Sequence, residues 1–425
     1  MKQIYKKLDP GDKVEIIVNG KKETGIYLES HKAGVLLLKL ENGYNLGFNK
    51  ENISDIKILE KFKRTNIKNT EIKSDKPIID FYLTGGTISS KFDSATGGVS
   101  NLITSEEFFF SYPEIFNIAN IRVKSPFSKQ SEDMTAKDWV RIAKLVGKSL
   151  NDENVKGVII SHGTDTLHFT AAALSFMLGK LNKPVVFTYS QRSSDRGSSD
   201  GRMNLKCSVH AALSDIAEVV IVGHATINDD YCYALQGNKC RKMHSSVRDA
   251  FKPINCNPFA KIFPNGKIKC LRNDFNKRNK EKVKVDALFN DKVGLFKFYP
   301  SDNRKLFDFY AKNFKGLIIE GTGLGHVSVN GKNNLIYELR KAIEKGLLVY
   351  MTSQTIYGRV DQYVYSSGRK LSDMGIVYLE DILPETAFVK LGWVLAHKEW
   401  TGTLATRKKM LENTSKEFNL RLKNI

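Results

Sequence analysis

An α/β architecture of parallel sheets, preceded by a small N-terminal β-barrel, is the fold class that the sequence predicts. Three observations predict it. The rhythm of the chain changes near Pro77: before it, short β-prone runs alternate with turn residues, and after it, apolar runs alternate with helical patterns. The later runs are continuous rather than alternating, as strands covered on both faces require. The residues directly after those runs are glycines, threonines, serines and an aspartate, at the strand ends where open parallel sheets hold their ligands.

Residues 1–59 contain "DKVEIIVNG", "ETGIYLES" and "AGVLLLKLENGYNLGF", with Asn-Gly pairs at 19–20 and 42–43 that suit hairpin turns. This is the spacing of a small antiparallel barrel or meander. The charged, unpatterned stretch 60–76 reads as a linker. From 77 to 287 the strands are "IIDFYL" (78–83), "GVIIS" (157–161), "PVVFTYS" (184–190) and "AEVVIVGH" (217–224), with helical patterns such as "DWVRIAKLVGKSL" between them. A second, smaller α/β unit is expected over 288–425, built on "VGLFKFYP" (293–300), "GLIIEGTG" (316–323), "LLVYMTSQ" (347–354) and "GIVYLED" (375–381).

A length of 425 residues is too great for one ordinary core and fits two or three domains. No apolar stretch follows a basic start and no apolar run approaches 18 residues, so neither a secretory signal nor a membrane span is expected, and a cytoplasmic location follows. Five cysteines, without C-x-x-C pairing or histidines at zinc spacing, read as reduced thiols. The net charge of +20 fits work near a polyanion such as RNA. Its lysines fall in runs such as 273–286 without interleaved aromatic residues, and solvated faces are the simpler reading.

The chemistry concentrates at two strand ends. After the first run stands Thr84-Gly85-Gly86-Thr87, where paired glycines permit positive φ and bring backbone N–H groups close to a ligand. Taken alone, this is a turn whose threonines cap the next element. After the second run stands "SHGTDTLHFTAAALSFML" (161–178), with Gly163 at the exit and Thr164 and Asp165 at the tip; Asp165 or Thr166 could simply cap the following helix. Neither loop has the glycines and lysine of a phosphate cradle or a dinucleotide fingerprint. A threonine nucleophile needs a partner that takes its proton. His162 and His168 are near in sequence, and "GNKCRKMHSSVRDAF" (237–251) supplies lysines that desolvation could make basic, among which the residues themselves do not choose between Lys239 and Lys242.

Together, "LTGGTIS" and "SHGTDTLHFTAAALSFML" resemble the two signatures of the bacterial-type L-asparaginase and glutaminase amidohydrolases. The resemblance implies that Thr87 forms an acyl-enzyme with the side-chain amide and that Thr164, Asp165 and Lys242 form a second triad. It further implies that Asp165 holds the substrate ammonium and Ser131 its α-carboxylate, with Glu132 beside it and with Gly86 and Gly163 shaping the site. No metal or organic cofactor is implied. "YSQRSSDRGSSDGRMNL", "KCRKMHSSVRDAF", "IEGTGLGHV", "MTSQTIYGRVDQYVYSSGR" and "LEDILPETAFVKLGWVLAH" narrow the likeness to the D subunits of archaeal glutamyl-tRNA(Gln) amidotransferases. That family implies a glutaminase feeding ammonia to a GatE-like subunit, which uses ATP and Mg to amidate Glu-tRNA(Gln). It also implies a homodimer within an α2β2 complex, with Leu324 near the neighbouring copy's site, and tRNA bound chiefly by the partner.

Two positions depart from many stand-alone asparaginases. Residues 88–103 contain no tyrosine where those enzymes use one for proton transfer, and Glu132 replaces a glutamine. A free-standing cytoplasmic asparaginase would share the catalytic residues but not the N-terminal unit. An RNA-binding protein with a vestigial site would not need all four of Thr87, Thr164, Asp165 and Lys242.

Overall fold

The computed structural model describes residues 8–28, 30, 32–41, 45–61, 75–89, 91–92, 99–100, 112–194, 198–301 and 304–422. Most of the expected linker and of the segment 88–103 lies outside them.

The first unit is one antiparallel sheet of β1 (Lys13–Val18), β2 (Lys21–Leu28), β3 (Val35–Leu40), β4 (Asn45–Asn49) and β5 (Ile53–Glu60), in the order β4-β3-β2-β1-β5. Alternation in β1 and β3 turns Val14, Ile16, Leu36 and Leu38 inward to a small core with Ile53 and Ile56. The turn between β1 and β2 uses Asn19 and Gly20, both at positive φ, as a primed hairpin turn requires. Strand β5 returns to pair with β1, and among the described residues no β4–β5 ladder closes the sheet into a barrel.

The main unit is an eight-stranded sheet. Its strands are β6 (Ile78–Leu83), β9 (Asn120–Lys124), β10 (Val155–Ser161), β11 (Val185–Thr188), β12 (Val219–His224), β13 (Cys232–Gln236), β16 (Ala260–Ile262) and β17 (Ile268–Cys270). Two small hairpins complete the strand series, β7 (Lys91–Phe92) with β8 (Val99–Ser100), and β14 (Cys240–Lys242) with β15 (Phe251–Pro253). The order is β17-β16-β13-β12-β11-β10-β6-β9, parallel from β9 to β12 and antiparallel beyond. Helices α1 (Ala136–Leu150), α2 (Leu167–Met177) and α3 (Gly201–Leu213) cover its faces. Because β6 is flanked by β9 on one side and β10 on the other, the winding reverses at β6, which opens a crevice beyond the carboxyl ends of β6 and β10.

The last unit has a parallel sheet of β18 (Val293–Lys297), β19 (Gly316–Gly321), β20 (Leu348–Ser353) and β21 (Val377–Tyr378). It is accompanied by α4 (Arg304–Asn313), α5 (Ile336–Glu344), α6 (Ser366–Asp373), α7 (Pro384–Val394) and α8 (Thr403–Leu411). One core runs through both α/β units: Phe176 of α2 stacks on Trp393 of α7, and Ile318 and Tyr350 belong to the same cluster as Val158 and Phe187. The carboxyl-terminal segment returns along this seam, where Asn238 and Gln236 donate to the carbonyls of Ser415 and Lys416.

Candidate active site

The loops after β6 and β10 are joined at their bases. Thr84 Oγ1 donates to the Ser161 carbonyl at 2.6 Å, which fastens one strand end to the other. Gly85 and Gly86 then turn with φ of +119° and +87°. A Cβ on Gly86 would lie 2.5 Å from the Gly163 nitrogen and 2.6 Å from the His162 carbonyl carbon, so the two loops touch backbone to backbone. A Cβ on Gly85 would meet the Lys129 carbonyl oxygen at 2.1 Å, and one on Gly163 would meet Ser131 Cβ at 2.8 Å. Three glycines therefore let three segments converge on one point. Thr87 follows one of the two glycines in contact and Thr164 follows the other.

Lys242, the last residue of β14, reaches this point from a third direction. Its Nζ donates to Thr164 Oγ1 at 2.8 Å and to Asp165 Oδ1 at 2.7 Å. The Thr164 and Lys242 side chains are largely covered, while the Asp165 side chain is 63 % exposed. Asp165 spends its carboxylate on Lys242 rather than on capping α2; Thr166 occupies the N-cap position without a side-chain cap bond and instead donates to the Ser131 carbonyl at 2.5 Å. Ser131 is buried and its Oγ accepts from the Asp165 backbone N–H at 3.2 Å. Glu132 is exposed, with one carboxylate oxygen 3.5 Å from Ser131 Oγ.

The two lysines left open by the residues differ in what they touch. Lys239 is buried in an ion pair with Asp381 at 2.7 Å, away from the threonines, whereas Lys242 contacts Thr164 and Asp165. Neither histidine is placed to accept a proton from a nucleophile. His162 is buried with Nδ1 against the Gly163 carbonyl and Nε2 against Thr170 Oγ1, and burial pushes its pKa down to about 4 despite the Gly163 bond. His168 is buried, and its Nδ1 has no hydrogen-bond partner among the described residues. Burial first, then the charges of Arg241 and Lys242 with a contribution from His162, bring it to about 3.

Sequence reasoning passed over several supporting residues. Buried Asp200 accepts from Ser190 Oγ and from the backbone N–H groups of Gln191 and Arg192, fixing the loop after β11. Asp80, buried within the apolar run of β6, pairs with Arg122 and Lys124 of β9, each at 2.6 Å. The segment Thr322 to His326 closes into a tight turn by reciprocal backbone bonds, and Leu324 accepts from the Asp361 N–H. All five cysteines are free thiols, and no group of three or more His, Cys, Asp or Glu able to hold a metal occurs among the described residues. Among those residues no helix is long and apolar enough to cross a membrane.

A parallel sheet with a threonine-bearing glycine turn at its switch point, faced by a Thr-Asp-Lys cluster, is the architecture of an asparaginase-type amidohydrolase. Residues 79–275 match the asparaginase N-terminal family and residues 292–406 the glutaminase/asparaginase C-terminal domain family, while 8–59 match the GatD N-terminal domain. In fold, L-asparaginase I from Vibrio cholerae is similar with a TM-score of 0.69 at 28% identity, over 81% of this chain and 100% of that one. The thermostable L-asparaginase from Thermococcus kodakarensis shares the fold with a TM-score of 0.71 at 24% identity, over 80% of this chain and 99% of that one. The chain belongs to the family of glutamyl-tRNA(Gln) amidotransferase D subunits. The D subunit of the Pyrococcus abyssi amidotransferase is 50% identical over 90% of this chain and 87% of its own length, and its counterpart from Sulfurisphaera tokodaii is 42% identical over 97% and 92%.

Proposed function

We propose that this chain is the glutaminase subunit of a tRNA-dependent amidotransferase, releasing ammonia from L-glutamine for conversion of Glu-tRNA(Gln) to Gln-tRNA(Gln) on a GatE-like partner. The observation that carries the chemistry is Lys242 joined to both Thr164 and Asp165 where the Gly86 and Gly163 turns meet. The Thr87 hydroxyl adds to the amide carbon and gives its proton to the site; backbone N–H groups of the glycine turns face the developing oxyanion. The carbon–nitrogen bond breaks, ammonia leaves with that proton, and a glutamyl ester remains on Thr87. Water then attacks the ester, giving its proton to Thr164 Oγ1 as the Thr164 proton passes to the neutral form of the Lys242 amine, and a proton returns from this pair to the Thr87 oxygen as glutamate departs. In this reading the exposed Asp165 carboxylate takes the substrate ammonium and Ser131, whose Oγ accepts from the Asp165 N–H, takes the α-carboxylate.

The N-terminal match over 8–59 and the relatives aligned over nearly the whole chain support this reading over a free-standing asparaginase. It includes a homodimer within an α2β2 assembly, with the Leu324 turn beside the neighbouring copy's crevice and tRNA held mainly by the partner. It also includes a cytoplasmic location, which free thiols suit. Hydrolysis requires no metal or cofactor in this subunit, since hydroxyl, carboxylate and amine supply every proton transfer; ATP and Mg act in the partner. The test is the glutaminase rate of the chain alone and with the GatE-like subunit and Glu-tRNA(Gln), in buffer with and without chelator. A severalfold rise on assembly and no effect of chelator are expected. An unchanged rate together with no association would refute the assembly, and loss of activity to chelator would refute the metal-free chemistry.

A further inference from the structure

Behind Lys242 lies a buried ionic cluster that amide hydrolysis as described does not use. Glu385 is the second residue of α7, directly after Pro384, and is 5% exposed. Its Oε1 lies 3.0 Å from Arg241 Nε and 3.8 Å from His168 Nε2, and its Oε2 is buried without a hydrogen-bond partner among the described residues. A carboxylate in the first turn of a helix is favoured by the dipole, but an exposed one would serve equally well. Burying it is costly. Burial pushes the Glu385 carboxyl up; Arg241 opposes this, Glu320 of β19 adds to it and Lys297 of β18 opposes it. A side chain kept at such a cost calls for a role beyond capping.

Three elements meet there. Helix α2, carrying His168, starts two residues after Asp165, and β14, carrying Arg241, ends on Lys242. Glu385 thus contacts both elements that present the Lys242–Thr164–Asp165 cluster, from the other α/β unit. Because His168 is held neutral, the Arg241 charge beside Lys242 is balanced by Glu385 rather than shared with an imidazolium. The next residue of α7 reinforces the grip, since Thr386 Oγ1 donates to the Asn238 carbonyl just before β14.

We propose that Glu385 is a positioning residue for amide hydrolysis: through Arg241 it fixes β14 and balances the charge beside Lys242, so that Lys242 meets Thr164 and Asp165 in register. The proposal rests on the reading above, in which Lys242 serves Thr164. The groups that decide its pH behaviour are Arg241, His168, Glu320 and Lys297 around Glu385, and Asp165, Arg241 and His168 around Lys242.

The test compares Glu385→Gln, Arg241→Gln and the double variant in the full chain assembled with its amidotransferase partner, measuring kcat and KM for glutamine across pH. Glu385→Gln is expected to lower kcat about tenfold with KM changed by less than about twofold, as for a group acting on the transition state. It should also move the acid limb of kcat to lower pH, because an uncompensated Arg241 disfavours a second cation beside it. Arg241→Gln alone should move that limb to higher pH, and the double variant should return it to the wild-type position. A wild-type kcat and limb in Glu385→Gln overturn the proposal, as does a loss of kcat with an unmoved limb, which marks a merely structural role. Should Glu385→Gln fail to fold, an unmoved limb in Arg241→Gln overturns it equally. Lys242→Met separates the two levels: wild-type turnover there refutes the underlying reading, whereas an inactive Lys242→Met beside a normal Glu385→Gln refutes only the role of Glu385.

Discussion

Replacing Gly86 by alanine tests how the two threonine loops are brought together. The residue sits at φ +87°, where an L side chain costs about 1–2 kcal/mol. The added Cβ would stand 2.5 Å from the Gly163 nitrogen, 2.6 Å from the His162 carbonyl carbon and 2.7 Å from Gly163 Cα. Non-bonded contacts of that kind settle at roughly 3.5–4 Å, so the loops must part by about 1 Å. All three obstructing atoms are backbone, and no rotamer change relieves them. A displacement of about 1 Å at a reacting group costs about 10²-fold, so Gly86→Ala should lower the glutaminase kcat about a hundredfold and the unfolding free energy by about 2–3 kcal/mol. Gly346→Ala is the control: its φ is +95° but among the described residues nothing lies within 4 Å of the added Cβ, so it should lose about 1–2 kcal/mol of stability and keep its turnover. Ammonia release and urea unfolding measure both. A Gly86→Ala enzyme within about threefold of wild type in kcat would show that the Gly86–Gly163 contact does not position Thr87.

Other expectations follow from the same geometry. Lys242→Met should reduce kcat about 10²- to 10⁴-fold with its fold intact, whereas Lys239→Met should destabilise the chain by about 3–5 kcal/mol by leaving Asp381 buried without its cation; reversed effects in turnover and urea assays would contradict the assignment. His162 and His168 have folded pKa values of about 4 and about 3, below the ordinary 6.5, so the unfolded chain binds protons that the native one refuses. Their contribution to stability is complete above pH 6.5 and is lost as pH falls toward those values, by about 2 kcal/mol per histidine at pH 5. Urea midpoints between pH 7 and 5 should show this slope, His168→Gln should remove about half of it, and a flat profile would contradict the burial account.

The strands that hold the site were legible because they are buried on both faces: β6, β10, β11 and β12 are apolar runs whose ends mark the crevice. Strand β9, "NIRVK", was not, since at the sheet edge it alternates Ile121 and Val123 with Arg122 and Lys124, which pair with Asp80, instead of forming a continuous apolar run. The antiparallel extension through β13, β16 and β17 escaped notice for a similar reason, being made of short pieces at an edge. Thr87, Thr164 and Asp165 could be placed at strand ends from the residues, but each also read as part of a turn or cap, and only the resemblance of the two motifs together singled them out. Lys242 could be separated from Lys239 only by resemblance, because both follow the same strand and only the hairpin geometry sends one to Asp381 and the other to Thr164. Glu385 left no local signal: "LPETAF" reads as a helix start, and its partners Arg241 and His168 belong to another unit of the chain.

Quenching the assembled enzyme with acid during turnover of L-glutamine, and locating the adduct by peptide mass spectrometry, shows whether Thr87 rather than Thr164 carries the acyl group. One glutamyl group is expected on the peptide containing Thr87, absent together with turnover in Thr87→Val. An adduct on Thr164, or sustained glutamine hydrolysis by Thr87→Val, would contradict it.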